Sequence, residues 1–175
     1  MKVWYTSLRF LAAMTLLTGV AYPLAMTGIG QMLFSQRVTG SFLVHDGVVV
    51  GSELIAQQFK DPKYFWARPS GVDFNPMPSG GTNMGPTSQD LKANVQDRRN
   101  QGLTRELLFS SGSGLDPHIS PEAAMDQVSR VAAARNVPEA TISDIVRRNI
   151  EPRQFAVLGQ PRVNVLKLNI DLERR

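Results

Sequence analysis

Hydrophobic positions are unevenly spread along this chain of 175 residues. From Phe10 to Phe34 the sequence FLAAMTLLTGVAYPLAMTGIGQMLF carries no Asp, Glu, Lys or Arg, and Arg9 and Arg37 border it. A helix crosses a hydrocarbon core with about 20 apolar residues, so the pattern predicts one transmembrane helix over residues 10–34. Thr15, Thr18 and Thr27 fit it, because a threonine hydroxyl bonds back to its own helix carbonyls. Gly19, Pro23, Gly28 and Gly30 are better tolerated in membrane helices than in soluble ones. Two other readings use the same residues. In a cleaved signal peptide, Lys2 and Arg9 form the basic start, Phe10 to Thr18 the apolar stretch, and Gly19-Val20-Ala21 the small residues before the cut. The third reading is the core helix of a soluble protein. The run continues well past Ala21 without turning polar, which favours the span. Lys2 and Arg9 precede it and only Arg37 follows closely. The positive-inside rule therefore places residues 1–9 in the cytoplasm and 35–175 outside it.

Beyond the apolar run the periods are short and mixed. Phe42-Leu43-Val44 and Val48-Val49-Val50 flank Asp46-Gly47, the sequence of a two-residue hairpin turn. Ser52 is placed to cap a short helix over Glu53–Phe59, ended by Asp61-Pro62. Tyr64-Phe65-Trp66 reads as a core corner or a binding platform. Gly71 to Pro86, rich in Gly, Pro and Asn, rejects helix and strand. Thr87 or Ser88 caps a polar helix over Gln89–Gln101, with Gly102 at its end. Leu107-Leu108-Phe109 reads as a short strand. Ser120, Pro121 and Glu122 open a helix predicted to run to Arg135, with Asn136 as its left-handed cap. A second helix spans Glu139–Asn149, with Ile142, Ile145, Val146 and Ile150 inward. Val163 to Leu172 alternates like a strand, with a slip of phase between Val165 and Leu166. The pattern predicts an α+β class: one N-terminal transmembrane helix followed by a single mixed α+β extramembrane domain.

Composition narrows the chemistry. Lys and Arg exceed Asp and Glu by 19 to 15, with no run long enough to suggest nucleic-acid binding. There is no cysteine, which excludes disulfides, thiolate nucleophiles and cysteine-bound zinc. No phosphate-binding loop or Asp-Lys-Thr-Gly motif occurs, so nothing points to ATP hydrolysis by this chain. The densest reactive patch is Ser110 to Pro121, where Ser113, Asp116 and His118 invite a hydrolase reading. Against it, Gly112-Ser113-Gly114 does not match Gly-x-Ser-x-Gly, and adjacency in sequence is no support for a triad. The plainer reading is a Gly/Ser turn leading into a capped helix. A secreted or periplasmic soluble domain, hydrolase or binding module, with a cleaved signal peptide stays as the alternative function.

Several longer stretches resemble one family. They are Gly51-Ser52-Glu53-Leu54-Ile55 with Gln58-Phe59, Tyr64-Phe65 with Arg68-Pro69-Ser70, and Thr82-Asn83-Met84-Gly85-Pro86-Thr87. Ser111 to Pro121 follows, then Arg130-Val131-Ala132 and Pro161-Arg162-Val163-Asn164-Val165-Leu166 with Leu168-Asn169. Together they resemble the C subunit of the bacterial Kdp potassium-transporting P-type ATPase; Thr82 and Met84 depart from the expected Ser and Leu. The resemblance implies a single-span, non-catalytic accessory subunit of the cell inner membrane, with no firmly bound cofactor. It also implies partners: a P-type subunit that hydrolyses ATP, a channel-like subunit that binds potassium, and a small single-span subunit. The family is further described as a catalytic chaperone raising the ATP affinity of the hydrolysing subunit; ATP enters by this resemblance only. With the domain outside, that effect would pass indirectly through membrane helices, or the domain would cap the channel-like subunit. Loops carry function more often than cores, so the candidate partner contacts are Tyr64, Phe65, Arg68, Asn83, Gly85, Ser113, Leu115, Asp116 and His118. Gly19, Gly28 and Gly30 are the candidates for packing against neighbouring membrane helices.

Overall fold

The computed structural model describes residues 2–174, which fall into two compact units divided after residue 42. The first is the apolar helix: α1 (Lys2–Leu16), a π-helical turn (Leu17–Ala21) and α2 (Tyr22–Val38) follow one another directly, with a kink inside α2 at Phe34. The helix therefore runs beyond the predicted 10–34 at both ends. Thr18 Oγ1 donates to the Met14 carbonyl at 2.7 Å and Thr27 Oγ1 to that of Pro23 at 2.8 Å, the back-bonding that makes threonine cheap in lipid. The π turn lies just ahead of Pro23, which has no N–H for the ladder. Phe34 departs from helical angles (φ −140°, ψ 44°) where the apolar run ends. No residue of α1 or α2 is buried, which removes the soluble-core reading; Lys2–Val38 is long and apolar enough to cross a bilayer.

The second unit is α+β. β1 (Phe42–His45) and β2 (Val48–Ser52) pair as the expected hairpin, with Asp46 (φ 50°) and Gly47 (φ 79°) both in the left-handed region its turn requires. α3 (Gln89–Asn100) begins where predicted: Ser88 Oγ accepts from the Leu91 amide, and Gly102 lies just past the end at φ 79°. A three-stranded antiparallel sheet has β5 (Arg162–Asn164) at its centre, between β3 (His118–Ile119) and β4 (Ile150–Glu151). Val163 sits opposite both Ile119 and Ile150. α4 (Pro121–Met125) and α7 (Val165–Glu173) pack against β5, and α6 (Glu139–Arg148) packs on both of them and on α5 (Val128–Arg135). Phe65, Leu107, Ile119, Val131, Ile142, Val146, Val163 and Leu168 form the centre of the core. α6 buries Ile142, Ile145 and Val146, as its period predicts, whereas Ile150, expected on the same face, lies beyond the helix in β4 and is half-buried.

Four expectations are corrected. Val163 to Leu172 is a strand only through Asn164. There the Asn164 side chain accepts from the Lys167 amide at 3.1 Å and starts α7. The phase slip is the turn into a helix: Val165, Leu166, Leu168, Asn169 and Leu172 are buried together, a helical spacing. Glu53–Phe59 is not helical. Ser52 Oγ instead accepts from the Leu54 amide, and the Ala56 amide bonds across to the Leu115 carbonyl at 3.0 Å. Leu107-Leu108-Phe109 is not a strand; Arg105–Leu108 is a 3-10 turn whose Leu108 carbonyl is taken by Arg98 at 2.8 Å. The predicted helix Pro121–Arg135 is broken at Asp126-Gln127. Asp126 accepts from Thr104 and Arg105 there, and Gln127 turns inward to a neighbouring loop.

Candidate partner-contact surface

The Tyr64–Ser70 segment is built by side chains from distant elements. Asn169, on α7, accepts from the Phe65 amide at 2.9 Å and donates to the Phe65 carbonyl at 3.0 Å. Gln127 repeats the arrangement one residue on: its Oε1 accepts from the Trp66 amide at 2.9 Å, and its Nε2 donates to the Trp66 carbonyl at 3.2 Å. Two side-chain amides thus stand in for the neighbouring strand that an extended segment would otherwise need. Arg130 donates to the carbonyls of Pro62 (2.6 Å) and Tyr64 (3.0 Å) and stacks 3.7 Å over the Trp66 ring. Burial lowers its guanidinium to about 10, still charged at neutral pH. Arg135 donates to the Lys63 carbonyl and to Glu173, joining the segment to the end of α7.

This corner positions two loops against each other. Ser70 Oγ accepts from the amides of Val72 and Phe74, starting the Gly71–Pro86 loop, which has no helix or strand. The Ser111 amide donates to the Pro69 carbonyl at 3.0 Å, and Arg68 donates to the Ser110 carbonyl at 3.2 Å. Glycines make the approach possible. At Gly114 (φ 72°) a Cβ would lie 2.7 Å from the Gly80 carbonyl oxygen and 2.7 Å from Val72 Cγ2. At Gly81 it would lie 3.0 Å from the Gly112 oxygen.

Of the predicted residues, three meet. Arg68 lies 3.6 Å from Asp116, and His118 Nδ1 lies 3.8 Å from the other Asp116 oxygen, which accepts from the His118 amide at 3.0 Å. They line an open cleft with Glu106, Ser120 and Arg162. Burial first, then Arg162, hold His118 below its usual range, against the opposing pull of Glu151 and Asp116. Ser113 does not complete a triad: its hydroxyl accepts from the Leu115 amide at 3.1 Å, closing a turn. Ser120 caps α4 by accepting from the Ala123 amide, as its position predicts. Among the described residues no group of three or more His, Cys, Asp or Glu could hold a metal. Asn83 and Gly85 are exposed on the outer part of the long loop, and Leu115 is half-buried. Phe65 has no exposed surface, so a contact role is corrected to a core one: the Asn169 clamp draws it inward. Tyr64 packs on Phe59 with ring centroids 5.3 Å apart; burial and then Glu173 raise its phenol. In the first unit, Gly19 lies in the π turn and Gly28 has open space where a Cβ would project, while a Cβ on Gly30 would lie 3.1 Å from Val38. Asn169 and Gln127 are the positioning residues that pattern reading passed over. Their one signal is an amide at a position where the helical period calls for an apolar side chain.

Comparison with known proteins gives one answer. The family described as "KdpC: K+-transporting ATPase, c chain" matches residues 4–174. A potassium-transporting ATPase KdpC subunit of Methylococcus capsulatus is 49% identical over 95% of this chain and 95% of its own. The corresponding subunit of Bradyrhizobium diazoefficiens is 45% identical over 94% of this chain and 92% of its own. That of Caldanaerobacter subterraneus is 44% identical over 95% and 92%. A match that runs through both the apolar helix and the joined loops places this chain in the KdpC family, the c chains of potassium-transporting ATPases.

Proposed function

We propose that this chain is a non-catalytic accessory subunit of a potassium-transporting ATPase, anchored by its single helix in the cell inner membrane. In this reading it assembles and stabilises a channel-like potassium-binding subunit, a P-type ATP-hydrolysing subunit and a small single-span subunit. The observation that carries the reading is the family match through both units. The site chemistry is compatible with it: Arg68 ties its segment to Ser110 and Asp116, and the Ser113 hydroxyl and an Asp116 oxygen accept from nearby amides to close turns. With residues 1–9 inside and the α+β unit outside, the effect on ATP affinity is indirect, carried by helix contacts at Gly19, Gly28 and Gly30. Small residues let membrane helices approach closely.

The test is purification of the pump in detergent with and without this chain. Loss of the chain should lower recovery of the other subunits and raise the ATP concentration for half-maximal hydrolysis. Gly19→Leu and Gly28→Leu should reproduce part of both effects. Unchanged recovery and unchanged ATP dependence on removing the chain would refute the reading. Activity of a cytoplasm-only reporter fused after Arg175 would overturn the orientation.

A further inference from the structure

Between β4 and β5 the chain leaves the sheet and returns as a small apolar finger. Gln154 and Leu158 bond to each other through both backbone groups, the Gln154 amide to the Leu158 carbonyl at 3.0 Å and the reverse at 2.9 Å. The residues at the tip are Phe155, 88% exposed, and Val157, 71% exposed, with Leu158 at 58%. Phe155 (φ 50°) and Ala156 (φ 64°) both lie in the left-handed region, and neither is glycine. A bulky side chain there is a steric outlier, and such outliers persist where function uses the geometry. The base is firm: Glu151 accepts from Arg162 across the β4–β5 register at 3.0 Å and also holds Lys167. Pro152 and Pro161 stiffen the two exits. From residue 152 to 162 there is no Asp or Glu, and among the described residues Arg153 has no ion pair.

We propose that this finger is a docking element whose tip, led by Phe155, enters an apolar pocket with an acidic rim on another protein subunit of the same pump. The inference deepens the accessory-subunit reading and rests on it. A fluid bilayer accepts apolar side chains in any orientation and would not need a strained turn. A shaped protein pocket does, because a preorganised anchor loses less freedom on binding. The positive charge of Arg153 beside the tip selects a carboxylate-bearing rim.

Photo-crosslinking in the intact, membrane-embedded pump tests this, with p-benzoylphenylalanine at position 155 of the full chain. The expected result is an adduct to a pump subunit, mapped by mass spectrometry to apolar residues near Asp or Glu. Adducts confined to lipid, or none in an assembled pump, would overturn the proposal. Phe155→Gly separates docking from folding. Glycine relieves the turn, so the melting temperature of the chain should rise by about 3 °C. Retention of the chain in the pump should fall about tenfold as the buried ring is lost. A fall in both would make Phe155 a folding residue and overturn docking, as would full retention. The unsubstituted chain is the control: its failure to co-purify would refute the accessory-subunit reading itself, whereas its success beside fully retained variants would refute only the finger.

Discussion

Replacing Asn169 by Ala removes both partners of the Phe65 backbone at once. The amide and carbonyl of Phe65 bond only to this side chain at 2.9 and 3.0 Å among the described interactions, and Asn169 and Phe65 are 2% and 0% exposed. Water cannot take over at that depth. Each orphaned buried group costs about 1–3 kcal/mol, so the pair costs about 2–6 kcal/mol. At this size a kcal/mol shifts the melting temperature by about 3 °C, which gives a fall of about 6–18 °C. The assay is thermal unfolding of the full chain in detergent, followed by circular dichroism and by the fluorescence of Trp66 on the same segment. Asn169→Leu keeps the volume but still strands both groups, so it should fall as far as Asn169→Ala. Asn169→Asp keeps the acceptor, loses the donor and buries a charge, and should be no better. A loss below about 0.5 kcal/mol in both the Ala and Leu variants would refute the clamp, because that is the level of an ordinary surface change.

Gly114→Ala should destabilise by about 2–4 kcal/mol, from the left-handed φ together with overpacking against the fixed Gly80 carbonyl; an unchanged urea midpoint would show that the loops are not so closely apposed. His118 gives a pH signature. Its folded pKa is depressed, so its contribution is fully present above the unfolded value near 6.5 and is lost as pH falls through the folded value. Stability measured by urea should therefore decline below about pH 6.5, and His118→Gln should flatten that part of the profile. A curve of unchanged slope in the variant would remove His118 as the cause.

Legibility in the sequence followed the range of the forces. The apolar helix, the Asp46-Gly47 hairpin, the Ser88 and Ser120 caps, the left-handed Asn136 (φ 56°) and the inward face of α6 were all readable. Each depends on residues within a turn or two, through period, φ preference or a local hydrogen bond. The functional family was legible through motif resemblance, above all along Ser111 to Pro121. The residues there could be named, but not the neighbours that Gly114 lets approach.

What tertiary structure alone decided is where distant groups settle local ambiguity. Val165 to Leu172 carries a pattern open to strand or helix; the Asn164 cap and the buried face of α7 chose helix. Glu53–Phe59 and Leu107–Phe109 lost their regular forms because Leu115 and Arg98 bond their backbones. The α4–α5 break follows from Asp126 and Gln127 being used by Thr104, Arg105 and Trp66. Sequence by itself determined the membrane-length helix and the α+β class, and it named loop residues as candidates. The fold decided which of those residues meet, that Phe65 is interior, and that Phe155 is displayed. The reason is physical: a backbone polar group must find a partner on burial, and in these segments the partner lies far away in sequence.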